Sequence, residues 1–157
     1  FIVKFIPSVV TAGRGSAIVY SDENGTLFSS EIGGNLNWRF KSGGKIAFVR
    51  PVEDKVLIGS ADNFVYFMSI DRGNVLWKRR LSGRIASGGL IGERLAVFTV
   101  VGERSAFVIE LENGRIVDRI TLTGDDLFLL TPIRANGVYL LAATSKGISA
   151  FSTNCDN

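Results

Sequence analysis

The stretch that organises this chain is Gly34-Asn35-Leu36-Asn37-Trp38, which returns 39 residues later as Gly73-Asn74-Val75-Leu76-Trp77. A degenerate third copy, Gly114-Arg115-Ile116-Val117-Asp118, follows after a further 41 residues. Self-similarity at a period of about 40 residues in a glycine-rich chain is typical of a stacked or radial array of small sheets. The motif therefore predicts a repeat architecture, but by itself it names no activity.

A second apolar segment recurs in the same frame and gives four copies. Ala17-Ile18-Val19-Tyr20-Ser21 aligns with Val56-Leu57-Ile58-Gly59-Ser60 at a shift of 39, and then with residues 95–99 and 138–142. Further short apolar stretches, rich in β-branched and aromatic residues and separated by Gly, lie before and after each copy, which favours strands over helices. We therefore predict an all-β fold of four-stranded antiparallel meanders, with essentially no helix.

Four such sheets packed face to face make a segment of a β-propeller, in which each sheet is one blade. The predicted blades, within one domain, span residues 1–42, 43–82, 83–124 and 125–157. In the second blade the predicted strands are residues 46–52, 56–60, 64–69 and 75–78, and the first strand of the first blade is predicted at residues 2–10.

The last predicted blade lacks its outer strand, because only five residues follow the strand predicted at residues 148–152. An open edge of this kind is a liability that closed propellers avoid. The chain also begins at Phe1 and not at Met, so we expect further sequence upstream. We expect the ring to be completed by upstream blades, or failing that by a second copy of the chain, with closure as a small ring the third alternative.

Three Asn-Gly dipeptides predict the turns of hairpins. Asn24-Gly25, Asn113-Gly114 and Asn136-Gly137 are the residues that supply positive φ at both centres of a type I′ turn.

Composition excludes several classes of protein and of site. With 46% hydrophobic and 21% charged residues the 157-residue chain is not disordered, and no apolar run reaches the length of about 20 residues that spans a bilayer. The absence of histidine excludes triads that need imidazole, and the single Cys155 excludes an internal disulfide and a structural zinc site. A net charge of only +3, with scattered basic residues, predicts no nucleic-acid partner.

The charged segments are weak candidates for sites. We interpret Lys78-Arg79-Arg80 as charges that protect an exposed edge, with contact to an acidic partner as the alternative. Gly102-Glu103-Arg104-Ser105 is predicted to be a hairpin tip, and Asp125-Asp126 a solvated loop rather than a calcium site. The basic residues that fall near inner strands, and could line a central channel, are Lys4, Arg50 and Arg84.

The segment Ser69-Ile70-Asp71-Arg72-Gly73-Asn74-Val75-Leu76-Trp77 resembles the PQQ-type β-propeller repeat, which closes a blade as Leu-Tyr-Ala-Leu-Asp-x-x-Thr-Gly-Lys-x-x-Trp. Residues 56–60 are similar to the Val-Tyr-Val-Gly-Ser of that repeat. The resemblance covers almost the whole chain and implies that Trp38 and Trp77 dock neighbouring blades, with stacking on a ligand as the alternative. The departures imply degenerate repeats: the third Trp is Asp118, the Thr is absent, and the consensus Asp is replaced by Ser30, Ser69, Glu110 and Ser152.

Soluble quinoprotein dehydrogenases share this repeat, and the resemblance to them would imply a PQQ pocket with a cysteine pair and a calcium ion. The chain has no cysteine pair. We therefore predict a non-catalytic scaffold that binds protein partners, with no cofactor, metal or catalytic residue. The resemblance to BamB-like propellers implies a periplasmic or other extracytoplasmic location. The alternatives are part of a PQQ-dependent dehydrogenase whose cofactor site lies in other blades, and a sensor ectodomain.

Overall fold

The computed structural model describes residues 9–12, 17–121, 127–135, 137–144 and 147–152. Every regular element in these ranges is a β-strand, so the prediction of an all-β fold is confirmed. No helix among the described residues is long and apolar enough to cross a membrane. In chain order the strands are β1 (Val9–Ala12), β2 (Ala17–Ser21), β3 (Thr26–Glu31), β4 (Leu36–Lys41), β5 (Ile46–Val52), β6 (Lys55–Ser60), β7 (Phe64–Ser69), β8 (Val75–Arg80), β9 (Ile85–Ile91), β10 (Leu95–Val100), β11 (Ser105–Glu110), β12 (Ile116–Thr121), β13 (Leu127–Ala135), β14 (Gly137–Thr144) and β15 (Gly147–Ser152).

The strands form four antiparallel sheets, each of which joins consecutive strands in an up-and-down order. The sheets are β1-β2-β3-β4, β5-β6-β7-β8, β9-β10-β11-β12 and, in the part that the structure describes, the three strands β13-β14-β15. This is the meander of a propeller blade, repeated four times, as the sequence predicted. The chain divides into two compact units, residues 1–86 with the first two sheets and residues 87–157 with the remainder.

The repeated Gly motif forms the turn before each outer strand. Gly34, Gly73 and Gly114 adopt φ of +91°, +67° and +71°, a conformation that side chains with a Cβ rarely adopt. A β-bulge follows in each outer strand, where the register of β4, β8 and β12 shifts by one residue. The motif therefore encodes a left-handed turn followed by a bulge, two local features that the sequence period alone did not reveal.

The bulge brings the last residue of each motif to one fixed position in the sheet. Trp38 lies opposite Ser29 in β3, and Trp77 opposite Phe67 in β7. Asp118 lies opposite Val108 in the third sheet and so occupies the tryptophan position, as the sequence alignment predicted.

The alignment of the second strands at a shift of 39 is wrong by one residue. Ala17 pairs with Glu31 in the first sheet and Lys55 pairs with Ser69 in the second, so the equivalent of Ala17 is Lys55 and not Val56. The motif keeps its spacing of 39 because the turn before β8 is one residue longer than the turn before β4. The error matters because a slip of one residue exchanges the two faces of a strand.

The prediction of type I′ turns is wrong at Asn24 and Asn113. Gly25 has φ of +82°, but the only non-glycine residues with positive φ in the described ranges are Glu53 and Asn63. The Gly25 N–H donates to the Asp22 carbonyl, so the loop is a type I turn followed by a left-handed glycine. The Asp22 carboxylate stabilises this shape by accepting hydrogen bonds from the N–H groups of Asn24 and Thr26. The third dipeptide, at residues 136–137, begins outside the described residues.

The first strand was predicted at residues 2–10, whereas β1 spans Val9–Ala12 and pairs with β2. The prediction ended two residues too early, and residues 2–8 lie outside the described part of the chain. Other predicted limits agree closely: β5 and β7 match at both ends.

The apolar core of the first unit lies between its two sheets. Val19 and Leu27 from the first sheet pack with Ile58 and Met68 from the second, and all four are fully buried. Each sheet alone would expose this surface, so face-to-face packing is what stabilises the pair. The half-buried residues that border this cluster are Ala17, Trp38, Phe40 and Phe64.

Candidate functional site: the outer strands

Trp38 docks the first sheet onto the second. Its indole N–H donates a 2.5 Å hydrogen bond to the Ile70 carbonyl, which lies in the turn that leads into β8. A Cβ added to Gly73 in the same turn would lie 2.5 Å from Cδ2 of Trp38, so only glycine admits the ring there. The docking role predicted for Trp38 is confirmed. Trp77 stacks on Phe67 of its own sheet, with ring centroids 5.3 Å apart.

A polar network at the other end of the same interface was missed by the sequence reasoning. Asp62, at the tip of the hairpin between β6 and β7, accepts hydrogen bonds from the Gly43 N–H (2.7 Å), the Phe64 N–H (3.0 Å) and the Tyr66 hydroxyl (2.6 Å). Burial and, next, the hydrogen bond to Asp62 raise the pKa of Tyr66 well above its ordinary value near 10. Tyr66 therefore remains protonated and donates to Asp62, which is a structural role and not that of a base.

Two buried serines extend this network to the chain that connects the sheets. The Ser42 hydroxyl donates to the Gly25 carbonyl at 2.8 Å, and the Ser60 hydroxyl donates to the Gly44 carbonyl at 3.2 Å. The network thus fastens the connection between β4 and β5 to the hairpins of both sheets. The sequence gives little indication of this network, because small polar residues near glycines are typical of any turn.

Large apolar side chains are exposed at the start of every outer strand that the structure describes with side chains. The first residues of these strands are Leu36 in β4, Val75 in β8 and Ile116 in β12, and they are 55%, 37% and 40% exposed. The next residues in β8 and β12, Leu76 and Val117, are also exposed, by 47% and 39%. Leu76 and Val117 are the bulged residues of their strands, so the bulge turns them away from the core. Apolar groups that recur at one exposed position of a repeat mark an interaction surface more often than isolated ones do.

A basic residue follows at an equivalent position of each outer strand, opposite an aromatic residue of the strand beside it. Arg39, Lys78 and Arg119 pair in register with aromatic residues of β3, β7 and β11. The Lys78 ammonium lies 5.3 Å from the ring centroid of Phe64, and the Arg119 guanidinium lies 4.9 Å from that of Phe107. The aromatic rings orient these cations toward solvent.

The basic cluster predicted at residues 78–80 is divided between the two faces of β8. Lys78 and Arg80 are exposed on the face of Tyr66, whereas Arg79 alternates to the other face and is half-buried. In the part of the chain that the structure describes, neither Lys78 nor Arg80 forms an ion pair. Arg119, the counterpart of Lys78 in the third sheet, pairs instead with Glu103 at 2.5 Å.

Residues 102–105, which the sequence predicted to be a hairpin tip, lie at the turn between β10 and β11. Gly102 has φ of +84° and the Glu103 N–H donates to the Val100 carbonyl. Ser105 is buried and accepts a 2.9 Å hydrogen bond from Arg119, so this tip is anchored to the outer strand.

The remaining predicted residues are dispersed. Arg50 is exposed on the inner strand β5 and Arg84 is exposed immediately before β9, and their place in a channel stays a prediction. Lys4, Asp125-Asp126 and Cys155 lie outside the described residues. Within the described ranges, no group of three or more His, Cys, Asp or Glu residues is arranged to hold a metal ion.

Comparison with known proteins supports the fold of the chain but identifies neither its family nor its function. No protein-family model matches the chain, and no curated protein matches it. Among solved structures, 1123 chains match, so the likeness is to an architecture shared by many families.

Three of these solved structures illustrate the range. The BBS1N domain, solved in complex with ARL6DN, is 16% identical with a TM-score of 0.81, and the match covers 99% of this chain and 49% of that one. BamB from Moraxella catarrhalis is 17% identical with a TM-score of 0.72, covering 97% and 48% of the two chains. The WD40 β-propeller domain of Doa1 is 16% identical with a TM-score of 0.74, covering 89% and 48%.

The chain is therefore a β-propeller segment that spans about half the length of each of these propellers. Propellers of the WD40 type and BamB match it about equally well, so the likeness does not choose between kinds of propeller repeat.

Proposed function

We propose that this protein is a non-catalytic scaffold whose outer strands bind a protein partner. The observation that carries the proposal is the recurrence of exposed apolar residues at one position of the outer strands, Leu36, Val75 and Ile116. Each follows a turn with a left-handed glycine and lies at or next to a bulge, on a strand held by an antiparallel sheet. A rigid sheet that presents apolar residues at its edge suits recognition of another protein.

The comparisons support the proposal by analogy. The BBS1N propeller was solved in complex with a protein, ARL6DN. The resemblance of the second repeat to the PQQ-type consensus, together with the likeness to BamB, favours a degenerate repeat of that family and a location in the periplasm. The repeat family and the periplasmic location are both inferred from resemblance between folds, and one fold can serve many functions.

Site-specific photo-cross-linking in the source cells tests the proposal. A photoreactive amino acid is placed at Val75 or at Ile116, both exposed, and a matched control carries it at Arg50, which is exposed on an inner strand. We expect one discrete cross-linked protein from the two outer-strand positions and none from the control. Equal cross-linking from all three positions, or none from any, would contradict the proposal. Fractionation of the same cells tests the periplasmic location.

The enzyme alternative has its own test. Titration with PQQ and calcium, followed by absorbance and by a dye-linked dehydrogenase assay, is expected to show no saturable binding and no turnover. Saturable binding of PQQ by this chain would overturn the assignment as a non-catalytic scaffold.

A further inference from the structure

We propose that the outer strand β8 binds an extended acidic segment of a partner protein, whose carboxylates pair with Lys78 and Arg80 while its apolar residues cover Val75 and Leu76. The proposal rests on the proposed function and specifies the chemistry of the partner at one strand. These four residues of the outer strand form the β8 patch.

The β8 patch joins two kinds of exposed surface on one strand. Val75 and Leu76 are 37% and 47% exposed at the start of β8, and Lys78 and Arg80 are exposed toward its end. The strand is the last of its sheet, so the backbone groups on its outer side have no partner strand within that sheet. An extended segment added beside β8 could pair with these backbone groups while its side chains contact both the apolar start and the basic end of the strand.

The cations of the patch lack a carboxylate partner within the described residues. Asp62 lies two residues before Phe64, the residue opposite Arg80. That carboxylate already accepts three hydrogen bonds, from the Gly43 N–H, the Phe64 N–H and the Tyr66 hydroxyl. Lys78 lies over the Phe64 ring, which holds the ammonium without neutralising it.

The other outer strands present their cations differently. In β12 the counterpart of Lys78 is Arg119, which pairs with Glu103, and the tryptophan position holds an acidic residue, Asp118. In β4 the end of the strand carries Lys41, whose ammonium donates to the Asn24 carbonyl. Of these three strands, β8 alone combines two exposed apolar residues with two exposed cations that form no ion pair among the described residues.

An acidic protein segment suits the patch better than a nucleic acid does. The cations are confined to one end of a six-residue strand, and its other end is apolar. A nucleic acid would present phosphates along the whole strand and would leave Val75 and Leu76 uncovered. Lysine and arginine on an edge also repel basic strands, so the charge that protects the edge selects an acidic partner.

Binding of synthetic peptides by fluorescence anisotropy tests the proposal on the whole chain. The probe is a labelled peptide of about ten residues in which Val and Glu alternate, long enough to cover one strand, and its counterpart has Lys in place of Glu. We expect saturable binding of the Glu peptide that weakens several-fold between about 50 mM and 300 mM salt, and no binding of the Lys peptide.

The double variant Lys78→Glu/Arg80→Glu is expected to weaken binding of the Glu peptide about tenfold or more. The matched control Arg50→Glu/Arg94→Glu makes the same change in net charge at two exposed cations outside β8, and its affinity should stay within about twofold of the parent chain. The charge-reversed variant should also gain binding of the Lys peptide, a result that a misfolded variant would not give.

Three outcomes would overturn the proposal. An equal loss of affinity for the Glu peptide in both double variants would show that binding depends only on the net charge of the chain. Stronger binding of a single-stranded oligonucleotide of equal charge would favour a nucleic acid. Retained binding in Lys78→Glu/Arg80→Glu, with loss in Leu76→Glu, would refute the acidic partner and leave the proposed apolar interaction intact.

Discussion

At the scale of the residue, glycine and tryptophan of the repeated motif are linked by a contact between blades. Gly73 has φ of +67°, and its missing side chain leaves the space that the Trp38 ring occupies. Two separate requirements therefore act on one glycine: the backbone conformation and the approach of the ring from the neighbouring sheet.

Gly73→Ala is expected to lower the free energy of unfolding by about 2 to 5 kcal/mol, since a left-handed non-glycine residue costs about 1–2 kcal/mol and overpacking about 1–3 kcal/mol. Gly92→Ala is the matched control, because Gly92 has φ of +62° with nothing within 4 Å of an added Cβ. It should cost only the backbone part, about 1–2 kcal/mol. Urea denaturation measures both, and equal losses would refute the contact between Gly73 and Trp38.

Tyr66 gives a prediction about alkaline pH. Its pKa is raised in the folded state, by burial first and by Asp62 second, so above about pH 10 the folded chain keeps a proton that the unfolded chain loses. The free energy of unfolding should therefore fall as pH rises above 10, by at most about 1.4 kcal/mol per pH unit from this group.

Tyr66→Phe is the control for this pH dependence. It should unfold about 1 kcal/mol more easily at neutral pH, because it loses the hydrogen bond to Asp62. Above pH 10 its stability should fall less steeply than that of the parent chain. Parallel profiles for the two proteins would contradict the assigned role of Tyr66.

At the scale of the element, the bulge in each outer strand sets which way the motif's last residue points. In β8 the register shifts between the partners of Phe67 and Met68, and Leu76 is the extra residue. Without the bulge, the rest of the strand from Trp77 to Arg80 would present the opposite face.

Deletion of Leu76 is therefore expected to lower the free energy of unfolding by more than about 2 kcal/mol and to shift tryptophan emission to longer wavelength, because Trp77 loses its stack on Phe67. Leu76→Ala keeps the bulge and should change stability by no more than about 0.5 kcal/mol, since the side chain is half exposed. Similar stability of the two variants would refute the importance of the bulge.

At the scale of the whole molecule, the first sheet has an apolar face that its own second sheet does not cover. Tyr20 and Phe28 stack with centroids 5.3 Å apart, on the face opposite to buried Val19 and Leu27. Arg39 lies opposite Phe28 on that face. In a ring of blades such a face packs against the next blade, and the propellers of BBS1N, BamB and Doa1 are about twice as long as this chain.

We expect the isolated chain to associate through this face, with a melting temperature that rises with protein concentration, because association stabilises the folded form by mass action. Phe28→Glu should abolish the association seen by sedimentation, whereas the exposed control Arg72→Glu should leave it unchanged. A chain that stays monomeric at all concentrations, with a constant melting temperature, would contradict this expectation.

The sequence alone determined the repeat, the strand character of each segment, the meander order and the docking role of Trp38. These features depend on local chemistry: alternating apolar residues, glycines that favour turns, and a large ring at the same position of the first two repeats. The Gly-to-Trp motif even located Asp118 correctly at a tryptophan position.

Only the tertiary structure decided the register of the second strands, the Asp62 network and the state of the outer cations. An insertion of one residue in a turn exchanges the faces of a strand, yet it barely changes a spacing of about 40 residues. Asp62 meets Gly43, and Arg119 meets Glu103, because strands and turns far apart in the chain fold back on one another. Whether a charge is satisfied depends on such neighbours, which residue type and spacing do not encode.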